Sequence, residues 1–225
     1  MKKTLFTILL ASTATLATLA AGTASAQTEP QTESREVKKN EFKKREYFNV
    51  NYAFQNLYGN PNVGDDVKFG TSDWGVGFTS GQSYILHRDP IAGMIHLGID
   101  ATWMDINVAH LNTTGPSVLG GGNSLYQADI ALGIGLGAHV MPVDNIGVHT
   151  YVRYNPTLAM TSDFSSSISG GYASGLVVGA AFSYNLVQVG IEGRWGYGKY
   201  KNWVDGGAAQ KMNTKGGRVY VGFRW

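Results

Sequence analysis

From residue 47 to residue 225 the apolar side chains fall at every second position, in run after run. In "YFNVNYAFQ", Phe48, Val50, Tyr52 and Phe54 share one face of an extended chain and Asn49, Asn51, Ala53 and Gln55 the other, because strand side chains alternate sides. The next runs set Trp74, Val76 and Phe78 against Asp73, Gly75, Gly77 and Thr79, then Ile95, Leu97, Ile99, Ala101 and Trp103 against His96, Gly98, Asp100 and Thr102. A fourth opposes Tyr126, Ala128, Ile130, Leu132, Ile134 and Leu136 to Gln127, Asp129, Gly133, Gly135, Gly137 and His139. A fifth opposes Val148, Val152 and Tyr154 to His149, Tyr151 and Arg153, and a sixth opposes Leu176, Val178, Ala180, Phe182 and Tyr184 to Gly175, Gly179 and Ser183. The seventh separates Val187, Val189, Ile191, Trp195 and Tyr197 from Gln188, Glu192 and Arg194, and the closing "GGRVYVGFRW" separates Val219, Val221, Phe223 and Trp225 from Arg218, Tyr220, Gly222 and Arg224. The pattern predicts an all-β chain of about eight strands.

The links alternate. Those near 81–92, 141–147 and 185–186 are short or ordered, whereas 109–125, 155–171 and 198–215 are long and rich in Gly, Ser, Thr and Asn, with the short 59–67 falling on the same side as these. One end of the structure is expected to carry turns and the other loops. A two-residue turn at Asn185 and Leu186 puts Gly179 opposite Glu192 and Val177 opposite Arg194, and a turn centred on Asp144 puts His139 opposite His149. Register and face then agree, as pairing demands.

The apolar face has two possible environments, the cavity of a soluble barrel or the hydrocarbon of a bilayer. The aromatics favour the bilayer. Trp74, Trp103, Tyr126, Tyr154, Tyr172 and Trp195 lie toward the loop ends, and Phe48, Phe78, Phe182, Tyr184, Phe223 and Trp225 toward the turn ends, so two belts ring the apolar face where two interfaces would be. Backbone groups in hydrocarbon must bond within the protein, so such strands have to close. The expected fold is a closed antiparallel up-and-down transmembrane β-barrel over 47–225, both ends on the turn-bearing, periplasmic side.

The first residues supply a route to that membrane. Lys2 and Lys3 precede an apolar stretch that ends in small residues, "TASA", so 1–26 reads as a removed secretory signal. Lys2 and Lys3 leave with it, so 16 of the 18 Lys and Arg remain against 16 Asp and Glu, and a formally neutral chain is no candidate for nucleic acid. There is no cysteine, so neither a disulfide nor a lipid-modified cysteine is available. Residues 27–46 are polar and mixed in charge and read as a flexible periplasmic leader.

The signal, the alternating runs and the closing "RVYVGFRW" with its terminal aromatic resemble the small outer-membrane β-barrel proteins of Gram-negative bacteria, the OmpA/OmpX-like barrels. The resemblance is one of pattern and architecture. It implies that the last strand, through Val219, Val221, Phe223 and Trp225, is the signal read by the barrel-assembly machinery. The peptidoglycan-binding domain of full-length OmpA proteins has no counterpart in the sequence, so an anchoring role is not implied.

Candidate chemistry is sparse. His110 lies in an expected outer loop with Ser117 and Asp105 near it in sequence, but no spacing marks a nucleophile and base. His139 and His149 could offer two metal ligands, fewer than zinc takes. The "LGGGN" glycines precede no Lys-Ser/Thr and are loop glycines. No catalytic residue, metal site or cofactor is therefore assigned. The inward face is richer: Asp73, Asp100, Asp129 and Glu192 oppose Arg153, Arg194, Arg218 and Arg224, large groups facing strands that supply mainly Gly, Ala and Ser. A charge network of Asp100, Asp129, Arg153, Glu192, Arg194 and Arg218 is expected to plug the lumen. The expected function is a non-enzymatic surface role in membrane integrity, adhesion or recognition, with outer-membrane lipid, the assembly machinery and an extracellular ligand as partners. A narrow pore and a membrane-embedded lipid-modifying enzyme are the alternatives. If the last strand is the assembly signal, Trp225→Ala, or a charged tail added after it, should lower the amount of protein that folds in the outer membrane. Heat-dependent gel mobility reads this directly, and an unchanged folded yield would contradict it.

Overall fold

A strand at a sheet edge leaves a row of amides and carbonyls without partners, and this chain avoids that by leaving no edge. The computed structural model describes residues 44–59, 67–87, 89–113, 124–143, 145–164, 168–204 and 209–225. They form β1 (Lys44–Gly59), β2 (Val67–Ile85), β3 (Ile95–Thr113), β4 (Ser124–Val143), β5 (Ile146–Ser162), β6 (Ile168–Tyr184), β7 (Val187–Asn202) and β8 (Gln210–Arg224). Each strand pairs with its sequence neighbours and β8 pairs with β1, giving a closed eight-stranded antiparallel barrel. The seam runs from Tyr47↔Arg224 to Gly59↔Met212, and Glu46 and Trp225 exchange backbone bonds of 2.8 and 3.0 Å beside it. The signal 1–26, the leader as far as residue 43, and the 59–67 link from residue 60 to residue 66 lie outside the described residues.

The expected registers hold: Gly179 faces Glu192, Val177 faces Arg194, and His139 faces His149. Asn185 makes the β6–β7 turn with φ of 52°, a left-handed conformation that asparagine tolerates. The strands are longer than the alternation suggested, from 15 residues in β8 to 20 in β4, where a tilted strand needs only about 9–11 to cross hydrocarbon. Much of 109–125, 155–171 and 198–215 is therefore strand and not loop. Beyond the apolar band a strand gains nothing from an apolar face, so the pattern fades while the hydrogen-bond ladder continues. For the same reason β1 begins at Lys44, inside the segment 27–46 read as leader.

The distribution of side chains is inverted relative to a protein folded in water. Leu136 is 69 % exposed, Ile191 62 % and Ile134 60 %, whereas Asp100 is fully buried and Arg218 1 % exposed. The aromatics of both expected belts lie on the outer face, Tyr172 toward the loop end and Phe48, Phe182, Tyr184, Phe223 and Trp225 toward the turn end, whereas Trp103, Tyr154 and Trp195 stand near the middle of β3, β5 and β7. An exterior of this kind is stable against lipid and not against water.

Two irregularities change which residues face inward. Between Thr102 and Asp105, β3 carries one extra residue relative to β4, because Thr102 pairs with Gly133 and Asp105 with Ala131. A bulge of one residue reverses the alternation beyond it. Ala101, placed by the sequence on the lipid face, is buried beside Thr102, and Asp105, Asn107, Ala109 and Leu111 point into the lumen. In β2 the ladder to β3 shifts between Ser72 and Trp74, and Asp73 turns to the outer surface, correcting its inward assignment. Arginine placed at Ile134, Val178 or Ile191, near the middle of the outer face, should cost about 2–4 kcal/mol each and much less near the belts. Unfolding in lipid vesicles measures this, and a cost independent of depth would contradict a lipid-facing exterior.

Candidate functional site

The lumen is filled by side chains that the alternation of eight strands aims inward, and three tyrosines set its spacing. Tyr47, Tyr151 and Tyr220 sit directly opposite Gly81, Gly179 and Gly190 on neighbouring strands. Each ring lies over its glycine, where a methyl group would collide with it. Large rings can thus lie flat against the wall of a narrow barrel, with the Tyr151 and Tyr220 hydroxyls meeting and that of Tyr47 reaching Thr102 on β3.

Asp100 is the first hub. Its carboxylate accepts from Ser83 Oγ at 2.6 Å and Tyr47 OH at 3.4 Å, and lies 2.5 Å from Arg153 Nε. His149 Nδ1 stands 2.8 Å from Arg224 Nη2, and since a guanidinium only donates, Nδ1 accepts and the ring proton sits on Nε2, 3.3 Å from Asp100 Oδ2. Arg224 also donates to Gln188 Oε1 at 2.9 Å and Ser83 Oγ at 3.2 Å. Across the centre, Arg153 donates to Thr102 Oγ1 at 2.8 Å, lies 3.7 Å from the centre of the Tyr151 ring, and reaches Glu192 at 3.6 Å. Glu192 accepts from Tyr151 OH at 2.6 Å, and Tyr151 OH meets Tyr220 OH at 3.1 Å.

Asp105 is the second hub. It bridges Arg194 Nη2 at 2.8 Å and Arg218 Nη1 at 2.7 Å, tying β3 to β7 and β8 across the lumen, while Arg218 stands 3.9 Å from Glu192. Of the expected network, Asp100, Arg153, Glu192, Arg194 and Arg218 are brought together. Asp129 is not: it is buried and accepts from Gln127 Nε2 at 2.7 Å, with no guanidinium in ion-pair range among the described residues. It lines a cavity of about 60 Å³ with Gln55, Gln127, Asn155 and Arg218, large enough for a few waters. Asp100, Asp105, Asp129 and Glu192 match Arg153, Arg194, Arg218 and Arg224 in number, and the half-buried Arg45, on the inward parity of β1 at the turn end, adds one positive charge.

Asp105 and the outer cap are what the sequence reading missed. Inside the loop end, Leu57, Leu111, Leu125, Ala159, Tyr200 and Met212 form a buried apolar cluster contributed by β1, β3, β4, β5, β7 and β8. The signal for Asp105 was a change of phase, because Ile106 and Val108 resume the apolar face on the parity opposite to Leu97 and Ile99. The cap had no such signal, since Leu57 and Met212 lie beyond the clear runs.

At the turn end His139 and His149 stack at 4.0 Å, and His96 pairs in register with His139. His149 already has an arginine and a carboxylate as neighbours, and no group of metal-binding geometry occurs among the described residues. His110 is in β3, not in a loop, and its Nδ1 lies 3.0 Å from Asp73 on the outer surface, with the sheet between it and Asp105. Ser117 lies outside the described residues. Val219, Val221, Phe223 and Trp225 line the outer face beside the β1–β8 seam, each about half exposed.

No protein-family model matches the sequence, and no curated protein matches it. Among solved structures, similarity is found to Ail, the attachment invasion locus protein of Yersinia pestis, at 11 % identity over 80 % of this chain and 98 % of that one, with a TM-score of 0.39. The outer membrane protease OmpT from Escherichia coli matches at 9 % identity over 81 % and 96 %, TM-score 0.44. The outer membrane protein OprG from Pseudomonas aeruginosa matches at 11 % identity over 80 % and 95 %, TM-score 0.42. At these TM-scores the likeness decides nothing about activity, and the architecture rests on the chain's own strand pairing.

Replacing Asp105 by Asn or Ala should leave the half-buried Arg194 without a carboxylate and the buried Arg218 with only Glu192 at 3.9 Å, and destabilise the barrel by about 3–5 kcal/mol, or less if water enters. Asp129→Asn, which breaks no ion pair, should cost markedly less. Urea unfolding in detergent compares them, and equal costs would mean that Asp105 is not the hub of the lumen.

Proposed function

We propose that this protein is an exported, integral outer-membrane β-barrel with a non-enzymatic surface role, holding its loop-end links outside the cell for membrane integrity, adhesion or recognition. The observation that carries this reading is the filled lumen: Asp105 cross-braces it and the Leu57, Leu111, Leu125 and Met212 cluster closes its outer end. An eight-stranded interior is just wide enough for side chains, so a lumen packed this way passes no steady ion current. What is left for interaction is the outer surface and the loop-end links.

The narrow pore is a second reading because a polar column does extend below the apolar cap, and a ring of apolar residues can gate by excluding water. An enzyme has less support. Asp100 lies between Ser83 and His149, so the imidazole does not reach the hydroxyl, and among the described residues no hydroxyl bonds His110. Activation of a serine needs the base in contact with the nucleophile. Lipid of the outer membrane, the assembly machinery and an extracellular ligand are the proposed partners.

The test is a planar bilayer recording on the detergent-folded protein. The wild type should give no steady current, whereas the combined change Leu111→Ser and Asp105→Asn should admit small ions. A steady wild-type current would overturn the closed-lumen reading in favour of the pore. Release of the protein from membranes by salt or sonication without detergent would overturn membrane integration itself.

A further inference from the structure

Lysines are few in the described barrel and are gathered in one place. Of Lys44, Lys68, Lys199, Lys201, Lys211 and Lys215, all but Lys44 lie at the loop end. Lys199 and Lys201 fall in the last four residues of β7, and Lys211 and Lys215 in the first six of β8, a strand pair that shares a ladder. All four are exposed and alternate with the buried Tyr200 and Met212, so they point away from the lumen. Lys199 and Lys211 are directly opposite each other in the register.

Like charges directly opposite across an antiparallel pair are destabilising, because side chains there stand only about 4.5–5.5 Å apart at Cβ. Natural strands relieve such a pair with a carboxylate, yet among the described residues none lies in ion-pair distance of any of these lysines. The outward carboxylate Asp73 is engaged with His110 and Asn112. Lys215 instead places its ammonium 5.0 Å from the centre of the Tyr58 ring, which orients it along the outer surface.

The same face continues toward the bilayer as Tyr197 and Trp195, with Lys215 opposite Trp195 and Tyr172 opposite Lys199. Aromatic side chains settle at the boundary of the hydrocarbon, and lysines just beyond them extend into the layer of headgroups. A cationic pair that no carboxylate compensates among the described residues meets, at that depth, the phosphate groups of the membrane first.

We propose that Lys199, Lys201, Lys211 and Lys215, on the outer face of β7 and β8, form a binding site for the phosphate groups of an anionic membrane lipid in the leaflet at the loop end. The lipid phosphate lies between the opposed Lys199 and Lys211 ammoniums and removes their repulsion, and Trp195 and Tyr197 hold the adjoining part of the lipid. The site rests on the membrane reading and gives it an orientation, since among the described residues the turn end carries one lysine, Lys44, which is ion-paired at 3.0 Å with Glu46.

The experiment uses the full mature chain folded into vesicles of phosphatidylcholine, with and without one fifth phosphatidic acid, whose phosphomonoester is the probe. Thermal unfolding is followed by gel mobility, and insertion is checked separately by flotation of the vesicles. Phosphatidic acid should raise the unfolding midpoint by several degrees in the wild type and in Lys44→Gln. Lys199→Gln with Lys211→Gln should abolish most of the rise, and Lys199→Arg with Lys211→Arg should restore it. The same glutamine pair should unfold no earlier than the wild type in pure phosphatidylcholine, because it removes a repulsion. Inorganic phosphate at millimolar concentration should not reproduce the rise. An equal rise in the glutamine variant would overturn the site, and an equal rise with inorganic phosphate would reduce it to a general anion site. Failure to float with vesicles would instead overturn the membrane reading on which it rests.

Discussion

The closure of the hydrogen-bond ladder between β1 and β8 is the condition on which everything else in this molecule depends. In hydrocarbon an unbonded amide has no water to turn to, so a sheet can stand there only if its first strand meets its last. Tyr47 through Gly59 meet Arg224 back through Met212 without a break in register. Once the ladder closes, each strand has one face toward lipid and one toward a lumen too narrow for bulk water. The outside must then be apolar, and every charge that the inside contains must be answered there.

The interior is answered by two acidic hubs at different depths. Asp100 collects Ser83, Arg153 and the imidazole of His149, and Asp105 collects Arg194 and Arg218. That the two are five residues apart, an odd separation that a regular strand would send to opposite faces, is the work of the β3 bulge. Without the extra residue Asp105 would face lipid, Arg194 would lose its counterion and Arg218 would keep only Glu192. The tyrosine-over-glycine pairs serve the same end by steric means, letting the rings lie against the wall over neighbouring glycines. Packing and charge are therefore one design in this lumen, and the apolar cap from Leu57 to Met212 separates it from whatever lies outside.

The outer face is not uniform around the circumference: the β2–β4 flank carries Trp74, His110 and Tyr126 with the bonded Asp73, and the β7–β8 flank carries lysines. On the proposed closed-lumen reading, this polarised rim is where contacts with membrane and surroundings would be made.

The sequence by itself determined the strand number, the up-and-down order, the outer and inner faces and several registers, because a period of two is a local property that each run displays on its own. Gly179 opposite Glu192 and His139 opposite His149 were legible for that reason. Strand length was not, since pairing at the loop end outlasts the apolar pattern that reveals it. Asp105 left a trace in the change of phase at Ile106 and Val108, but only the tertiary structure decided where the bulge falls, that Asp73 faces out, that Ala101 faces in, and that Asp129 stands apart from the ion pairs, because a bulge is set by how two strands fit. The apolar cap and the opposed Lys199 and Lys211 likewise exist only once distant strand ends are brought to one rim, a juxtaposition produced by closure and not by any stretch of the chain.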